Sequence, residues 1–455
     1  MSARRPAIRP PGPVLHILRR LWTSGHAGYV VGGSIRDVLM GRRPHDWDLA
    51  SDARPERLLE LFPEAVYENR FGTVAIRSNG DVHEITTFRI DHEYADFRRP
   101  HRIEFGDRIE LDLARRDFTM NAMAWGAAAP EPGAPPAPRL VDPHGGRADA
   151  KAGILRAVGD PASRFEEDAL RMVRAVRLAA TLDVEIEPAT LAAIDARSEL
   201  VAHLSGERLA TELDRLLGAA RPSVGLRLMA STGILRVLSP ELDAQRGISQ
   251  NKIEGDDLWD HTVRTVDAVP VDRPVVRLAA LLHDIGKPAT MADGHFHHHD
   301  SVGAGIAARF LDRLRTPRPV AERVVHLVRH HMFTYEPSWG DAGVRRFIKR
   351  IGREALESLF SLREADNIGS GQPPESHGLD ELRRRVREQL AGHLVLDRGD
   401  LAIDGDDLIA ELGLAQGPTL GRILAELLER AIADPAINER PTLLVLAQAM
   451  LADEP

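Results

Sequence analysis

Tyr29-Val30-Val31-Gly32-Gly33-Ser34-Ile35-Arg36-Asp37, and after it Asp46-Trp47-Asp48, is the stretch that decides the fold. The apolar triplet reads as a buried strand, the two glycines as a tight turn, and Ser34 to Met40 as a helix. Side chains alternate along a strand, so if His45 to Ala50 is a strand, Asp46 and Asp48 share one face. Two carboxylates beside phosphates form an oxygen set suited to Mg²⁺. Glycine lets backbone N–H groups approach a phosphate, and the positive end of the following helix adds to the attraction. The pattern therefore asks for a nucleoside triphosphate held by backbone, with metal held by aspartates.

Working outward, a helix over Val14 to Thr23 precedes this stretch and another follows from Pro55 to Leu61. Alternating runs, Thr73 to Arg77 and Val82 to Phe88, flank Asn79-Gly80, a hairpin signal. Ala127 to Pro138 is alanine- and proline-rich and reads as a loop or linker. From Phe165 onward the apolar spacing is helical, over Glu166 to Ala180, Gly206 to Leu217 and Ser223 to Ala230. The fold class expected is an α/β head with a mixed sheet and helices, followed by an all-α body. At 455 residues the chain holds about three or four units. It has no cysteine, which excludes disulfides and cysteine-ligated zinc. No apolar run is long enough to span a bilayer, and the basic, proline-rich N-terminus lacks the apolar core of a secretory signal, so the expected location is cytoplasmic. A net charge of −9 argues against indiscriminate nucleic-acid binding but leaves room for a local basic surface.

The head motif resembles the class II tRNA nucleotidyltransferases, that is, the CCA-adding enzymes and bacterial poly(A) polymerases. The resemblance continues in order through Glu84-Ile85-Thr86-Thr87-Phe88-Arg89, Tyr94 to Pro100, Asp112 to Ala122, Val141-Asp142-Pro143-His144-Gly145-Gly146, Glu167-Asp168-Ala169-Leu170-Arg171 and Glu207-Arg208-Leu209. It implies a catalytic head over 14–160 and a helical neck over 161–245 that selects nucleotides and contacts RNA. It also implies Mg²⁺ at the transferase site, ATP and CTP as substrates, and the acceptor stem and 3′ end of tRNA as partner. Asp46 and Asp48 are the expected metal ligands, with Glu84 as a third carboxylate. Gly32, Gly33, Ser34 and Arg36 form the expected phosphate cradle. Arg115, Arg116, Asp117 and Asn121 are expected at ribose and triphosphate. Asp168 and Arg171, three apart on one expected helix, offer acceptor and donor to a base edge, and Arg174 extends the row. The loop Glu93 to Pro100, with Tyr94, Asp96, Arg98 and Arg99, favours complete CCA addition. Addition of CC or A alone, poly(A) synthesis, or a phosphohydrolase with an accessory head are the alternatives.

A histidine-rich segment resembles the HD superfamily of metal-dependent phosphohydrolases, implying an HD domain over 255–370. His261, His283, Asp284 and Asp366 match the four N/O ligands of a divalent transition metal or Mg²⁺. His299 and His331 match further positions able to hold a second metal, with His330 a close competitor of His331. Gly286-Lys287 is no phosphate loop, because Pro288 stands where Ser or Thr is required. The region 371–455 resembles the C-terminal tRNA-binding part of these enzymes. The small residues of Gly405 and Gly417 at helix starts, and the row Arg345, Arg346, Lys349, Arg350 and Arg353, are expected to follow an RNA backbone. The sequence leaves the oligomeric state open.

Overall fold

Tyr29-Val30-Val31, apolar on both faces, becomes the middle of a sheet in the computed structural model, which describes residues 8–69, 72–78, 81–95, 99–131, 134–250, 252–392 and 394–452. The chain divides into two compact units, Met1–Asp243 and Ala244–Pro455.

The sheet and hairpin of the first unit are formed by β1 (Gly28–Val31), β2 (Leu49–Ser51), β3 (Val66–Asn69), β4 (Thr73–Ser78), β5 (Asp81–Thr87), β6 (Arg89–Ala95), β7 (Arg99–Phe105), β8 (Ala124–Ala127) and β9 (Arg139–Val141), and a short parallel pair, Ile154–Leu155 with Glu185–Ile186, follows. Seven form one sheet in the order β3-β4-β5-β2-β1-β8-β9, while β6 and β7 make a separate hairpin. Only β2 and β5 run parallel in that sheet, with Leu49 opposite Ile85 and Ala50 opposite Thr86. The Asn79-Gly80 hairpin signal falls between β4 and β5, which pair Ser78 with Asp81; residues 79–80 lie outside the described residues, as do 96–98 in the loop that carries Asp96 and Arg98. The alanine- and proline-rich stretch joins the antiparallel partners β8 and β9, so it is a loop within the sheet and not a boundary between units.

One sheet face, carrying Val30, Leu49, Val74, Ile76 and Ile85, packs on α1 (Gly12–Thr23) and α3 (Pro55–Leu61) through Ile17, Leu18, Leu21 and Leu58. The opposite face, with Tyr29, Val31 and Ala50, meets Phe88, Ile109, Leu113 and Val158. Helix α2 (Gly33–Leu39) springs directly from β1, and α4 (Ile109–Ala114) ends at Arg115. Next come α5 (Gly146–Ala152), α6 (Pro161–Glu167), α7 (Leu170–Leu182), α8 (Pro188–Arg197) and α9 (Gly206–Leu217). Asp142 accepts from the N–H groups of Gly146 (2.7 Å) and Arg147 (3.0 Å), fixing the start of α5. A Cβ on Gly146 would lie 2.0 Å from the Thr119 carbonyl, so only glycine allows this approach.

Two expectations for this unit change. The strand around the aspartates is confined to Leu49–Ser51, because β1 ends at Val31, the chain turns at Gly32, and residues 45–47 are left no ladder partner; the last bond runs from Val31 N–H to Asp48 O, 2.9 Å. The helix expected from Glu166 to Ala180 is two helices. Asp168, in extended backbone (φ −149°, ψ 103°), accepts from Leu170 N–H at 3.1 Å and so breaks the first helix before starting the second.

The second unit is helical. Helix Pro274–Leu282, buried from Val276 to Leu282, is flanked by helices Leu258–Ala268, Arg318–His330 and Leu356–Gly369, and helix His299–Arg313 packs on Arg318–His330, with further helices Asp341–Ile351, Gly405–Leu412, Pro418–Ala433 and Arg440–Ala452 toward the C-terminus. No helix among the described residues is long and apolar enough to cross a membrane.

Candidate functional site

The face alternation that places the two aspartates survives the shortened strand. Trp47 packs against the core below the sheet, whereas Asp46 and Asp48 are exposed on the opposite side. Extending the parallel register by one residue sets Glu84, also exposed, beside Asp48 on that same face. Partial burial and the neighbouring Asp46 carboxylate push the Asp48 carboxyl up, while Arg116 pulls it down. Two like charges in one place, opposed by a single arginine, are a donor set that a divalent cation would satisfy.

The glycines and arginines form the next layer. Gly32 has φ +78°, and a Cβ there would lie 2.9 Å from Arg116 Nη1, so the glycine both makes the turn and admits the guanidinium. A Cβ on Gly33 would meet Arg36 Nη2 at 3.3 Å. Ser34 is buried with its hydroxyl turned back to the Val31 carbonyl. Arg36 donates to Asp37 (2.7 Å) and to Asn121 Oδ1 (2.7 Å); Asn121 donates to Asp117 (3.2 Å), which pairs with Arg174 (2.7 Å). Burial alone would raise the Asp117 pKa, but Arg174 and Asn121 outweigh it and hold the group ionised. Sequence reasoning gave no role to Asp112, which is 1% exposed and receives both Arg115 (2.6 Å) and Arg116 (3.3 Å). The signal was present in the spacing: an acid in a helix, three and four residues ahead of two arginines at and just past the helix end.

Asp168 and Arg171 do not share a helix face. Asp168 sits in the break and takes Arg208 of α9 at 2.8 and 3.0 Å, while Arg171 opens α7 and donates to Glu167 (2.5 Å), to the Arg164 carbonyl (3.0 Å) and to the Arg115 carbonyl (2.9 Å). The last bond ties the helix carrying Arg171 to the segment carrying Arg115 and Arg116. Arg208 and Glu167 stood in the quoted motifs without a role; their partners are distant in sequence or across a helix break, so spacing gave no sign of them.

In the second unit, six expected ligands converge. His261, His283 and Asp366 form one group whose donor atoms lie within 4.8 Å of one another, and Asp284, His299 and His331 form a second. Asp284 joins them: Oδ2 lies 3.1 Å from His283 Nε2 and 3.4 Å from His261 Nε2, and Oδ1 lies 3.4 Å from His299 Nε2 and 3.6 Å from His331 Nε2. His330 lies against His326, with ring centroids 4.5 Å apart and the rings tilted by 57°, and stands outside the cluster. The Nδ1–H groups of His283, His299 and His331 donate to the carbonyls of Ala280, Phe296 and Val328 at 2.7–2.8 Å, which turns each Nε2 lone pair toward the centre. Burial lowers the His283 pKa. Burial opposes ionisation of Asp284 and Asp366, yet the neighbouring histidines and lysines hold both well below the usual carboxylate range. Burial would lower the His261 pKa too, but the carboxylates Asp284 and Asp366 outweigh it and raise that pKa, so His283 is the imidazole that burial holds neutral; neutral imidazole and ionised carboxylate are the forms that bind metal. Gly286 makes the convergence possible, since a Cβ there would lie 2.2 Å from the His299 carbonyl.

The expected RNA row at 345–353 is largely committed within the unit. Arg345 is buried and donates to the carbonyls of Ile432 and Ala433, and Arg346 and Lys349 both face Glu429. At the start of helix Gly405–Leu412, the carboxylate of Asp404 accepts from the N–H groups of Asp406 and Asp407, occupying the place expected for phosphate.

Comparison with known proteins follows this division of labour. Residues 28–156 match the family described as "Poly A polymerase head domain", 183–246 the family described as "Probable RNA and SrmB- binding site of polymerase A", and 250–369 the family described as "HD domain". The CCA-adding enzyme of Geobacillus kaustophilus (strain HTA426) is 31% identical over 443 residues, 95% of this chain and 96% of that protein. The CCA-adding enzyme of Streptococcus thermophilus (strain CNRZ 1066) is 31% identical over 438 residues, 96% of each. The crystal structure of the Bacillus stearothermophilus CCA-adding enzyme in complex with CTP has a TM-score of 0.72 at 28% identity and covers 98% of both chains.

Proposed function

This chain belongs to the family of the CCA-adding enzymes, and from that premise we propose that it builds the CCA end of tRNA from CTP and ATP, with nucleotide choice made by protein side chains. It is a tRNA nucleotidyltransferase with an α/β head, a helical body and an HD domain. The observation that carries the reading is the Asp46/Asp48 pair on one open sheet face beside the Gly32-Arg116 cradle, in a chain collinear with its relatives over nearly its whole length.

The 3′-hydroxyl oxygen of the RNA forms a bond to the α-phosphorus of the nucleotide, the α–β bridging P–O bond breaks, and pyrophosphate leaves. Asp46 and Asp48, with Glu84 beside them, would hold Mg²⁺, which supplies positive charge to the attacking and leaving oxygens. Arg115 and Arg116, held by Asp112, meet the charge of the triphosphate, and Arg36, Asn121, Asp117 and Arg174 keep the ribose side of the cleft in place. We assign Asp168 the role of acceptor for the amino group that cytosine and adenine share, and Arg171 the role of donor, for which it exchanges one of its internal acceptors for the base. We assign 14–160 to the head, 161–245 to the neck, 255–370 to the HD domain and 371–455 to the tRNA-binding tail, and place the enzyme in the cytoplasm with its substrate.

A second activity is favoured by the six-residue cluster. We propose that His261, His283, Asp284, His299, His331 and Asp366 hold two divalent ions, bridged by Asp284, and that the HD domain hydrolyses phosphate esters.

The decisive experiment gives purified protein tRNA transcripts ending before CCA, after the first C, and after CC, each with one labelled triphosphate. Incorporation of C, C and then a single A is expected, and Asp46→Asn with Asp48→Asn should reduce it to background. Long A tails, or undiminished addition by the double variant, would overturn the reading.

A further inference from the structure

We propose that Arg363 and Lys252 form an anion subsite beside the histidine cluster of the second unit, and that this subsite makes the HD cavity prefer phosphomonoesters over phosphodiesters. The subsite presupposes that the six-residue cluster binds metal. The cavity next to the cluster has a volume of about 820 Å³, ample for a nucleotide-sized ligand. Among the described residues, its lining includes three cations, Lys252, Lys287 and Arg363, and no acidic side chain besides Asp284 and Asp366, both of the cluster. The wall is therefore net positive before any metal enters, and each divalent ion makes it more so.

The three cations are not equivalent. Lys287 is buried and held by Asp284 Oδ2 (2.7 Å) and Gln250 Oε1 (2.6 Å), so it fixes the bridging carboxylate. Arg363 and Lys252 instead flank Asp366. Arg363 lies one helical turn before Asp366, and its Nη1 is 3.3 Å from Oδ2, the oxygen turned away from His261. Its guanidinium lies 4.7 Å over the Phe333 ring and its Nη2 donates to the Phe333 carbonyl, so the fork is set in place before a ligand arrives. Lys252 Nζ lies 4.0 Å from Asp366 Oδ1, at the other oxygen of the same carboxylate, on a side chain 35% exposed that lines the same cavity. A phosphodiester has two non-bridging oxygens, and two ions held by the cluster would draw on both. A phosphomonoester has a third and carries close to two negative charges at neutral pH. That third oxygen is the one Arg363 and Lys252 are positioned to receive. In the hydrolysis that follows, water supplies the oxygen that bonds to phosphorus, the ester P–O bond breaks, and the leaving oxygen takes a proton.

The test uses the full chain loaded with Mn²⁺. Inorganic phosphate binding is measured by calorimetry, manganese content by elemental analysis, and hydrolysis with p-nitrophenyl phosphate and bis(p-nitrophenyl) phosphate. Arg363→Gln and Lys252→Gln should each weaken phosphate binding about tenfold and lower the monoester-to-diester ratio of kcat/KM by a similar factor, with manganese content unchanged. Arg363→Lys, which keeps the charge without the fork, should recover part of the loss. If Arg363→Gln fails to fold, Lys252→Gln, on the exposed side chain, decides. Unchanged phosphate affinity in folded, manganese-loaded variants refutes the subsite. Absence of bound manganese in the parent protein instead refutes the metal centre, and the subsite falls with it.

Discussion

Replacing Asp112 by asparagine keeps the shape of the side chain and removes its charge, which tests whether this buried acid organises Arg115 and Arg116, the arginines proposed to meet the triphosphate. Asp112 is 1% exposed and accepts from Arg115 at 2.6 Å and Arg116 at 3.3 Å. Breaking a fully buried ion pair costs about 3–5 kcal/mol. The arginine side chains keep 17% and 22% of their exposure and regain some water, so about 2–3 kcal/mol is expected here. For a unit of this size each kcal/mol moves the midpoint by about 2–4 °C, so the head transition in calorimetry should fall by roughly 5–10 °C at pH 7. Arg116 also loses its hold beside Gly32, and KM for CTP and ATP should rise about tenfold. The pH dependence has a definite sign. Burial would raise the Asp112 pKa, but Arg115 and Arg116 outweigh it and hold the group below its ordinary value. Its stabilising contribution is therefore complete above the ordinary aspartate pKa of about 3.9 and is lost as pH falls through the lower folded value. Parent and Asp112→Asn should differ at neutral pH and converge in strong acid. Equal melting at pH 7 together with unchanged KM would show that the arginines need no clamp.

Other substitutions separate the remaining parts of the molecule. Arg208→Ala removes the partner of Asp168 and should lower kcat/KM for both CTP and ATP by about tenfold while leaving metal affinity alone, as measured in single-nucleotide extension assays. Arg171→Ala should reduce discrimination among the four triphosphates; unchanged selectivity would remove it from base recognition. His283→Ala with Asp284→Ala should abolish metal binding at the HD cluster, read by elemental analysis, and spare CCA synthesis by the head; loss of both would mean that the module serves the head structurally.

How much could be read in advance depended on whether the relevant partners were neighbours in sequence. The aspartate pair was legible because side-chain alternation is a local property, and it held even where the strand itself did not extend, since Trp47 still anchors the opposite face. The residues of the histidine cluster were legible as types, whereas their arrangement in two groups joined by Asp284 was not, nor was the convergence of His331 in place of His330. Adjacent residues at a helix end point in different directions, and only the packing of that end against helix His299–Arg313 decides which one turns inward. The Asp168–Arg171 expectation went astray because a helical period was extended through a residue whose own carboxylate competes for the backbone.

By itself, then, the sequence determined the mixed α/β head, the helical body, the shared face of Asp46 and Asp48 and the residue types that gather in the histidine cluster, because each follows from periodicity, turn chemistry or residue type over a few positions. The tertiary structure alone decided the pairings between distant segments: Asp168 with Arg208, Asp117 with Arg174, Arg171 with the Arg115 carbonyl, and Arg363 beside Asp366 at the rim of a cationic cavity. The physical reason is that a charge takes the partner that packing brings within reach once water is excluded, and a linear string does not record those distances.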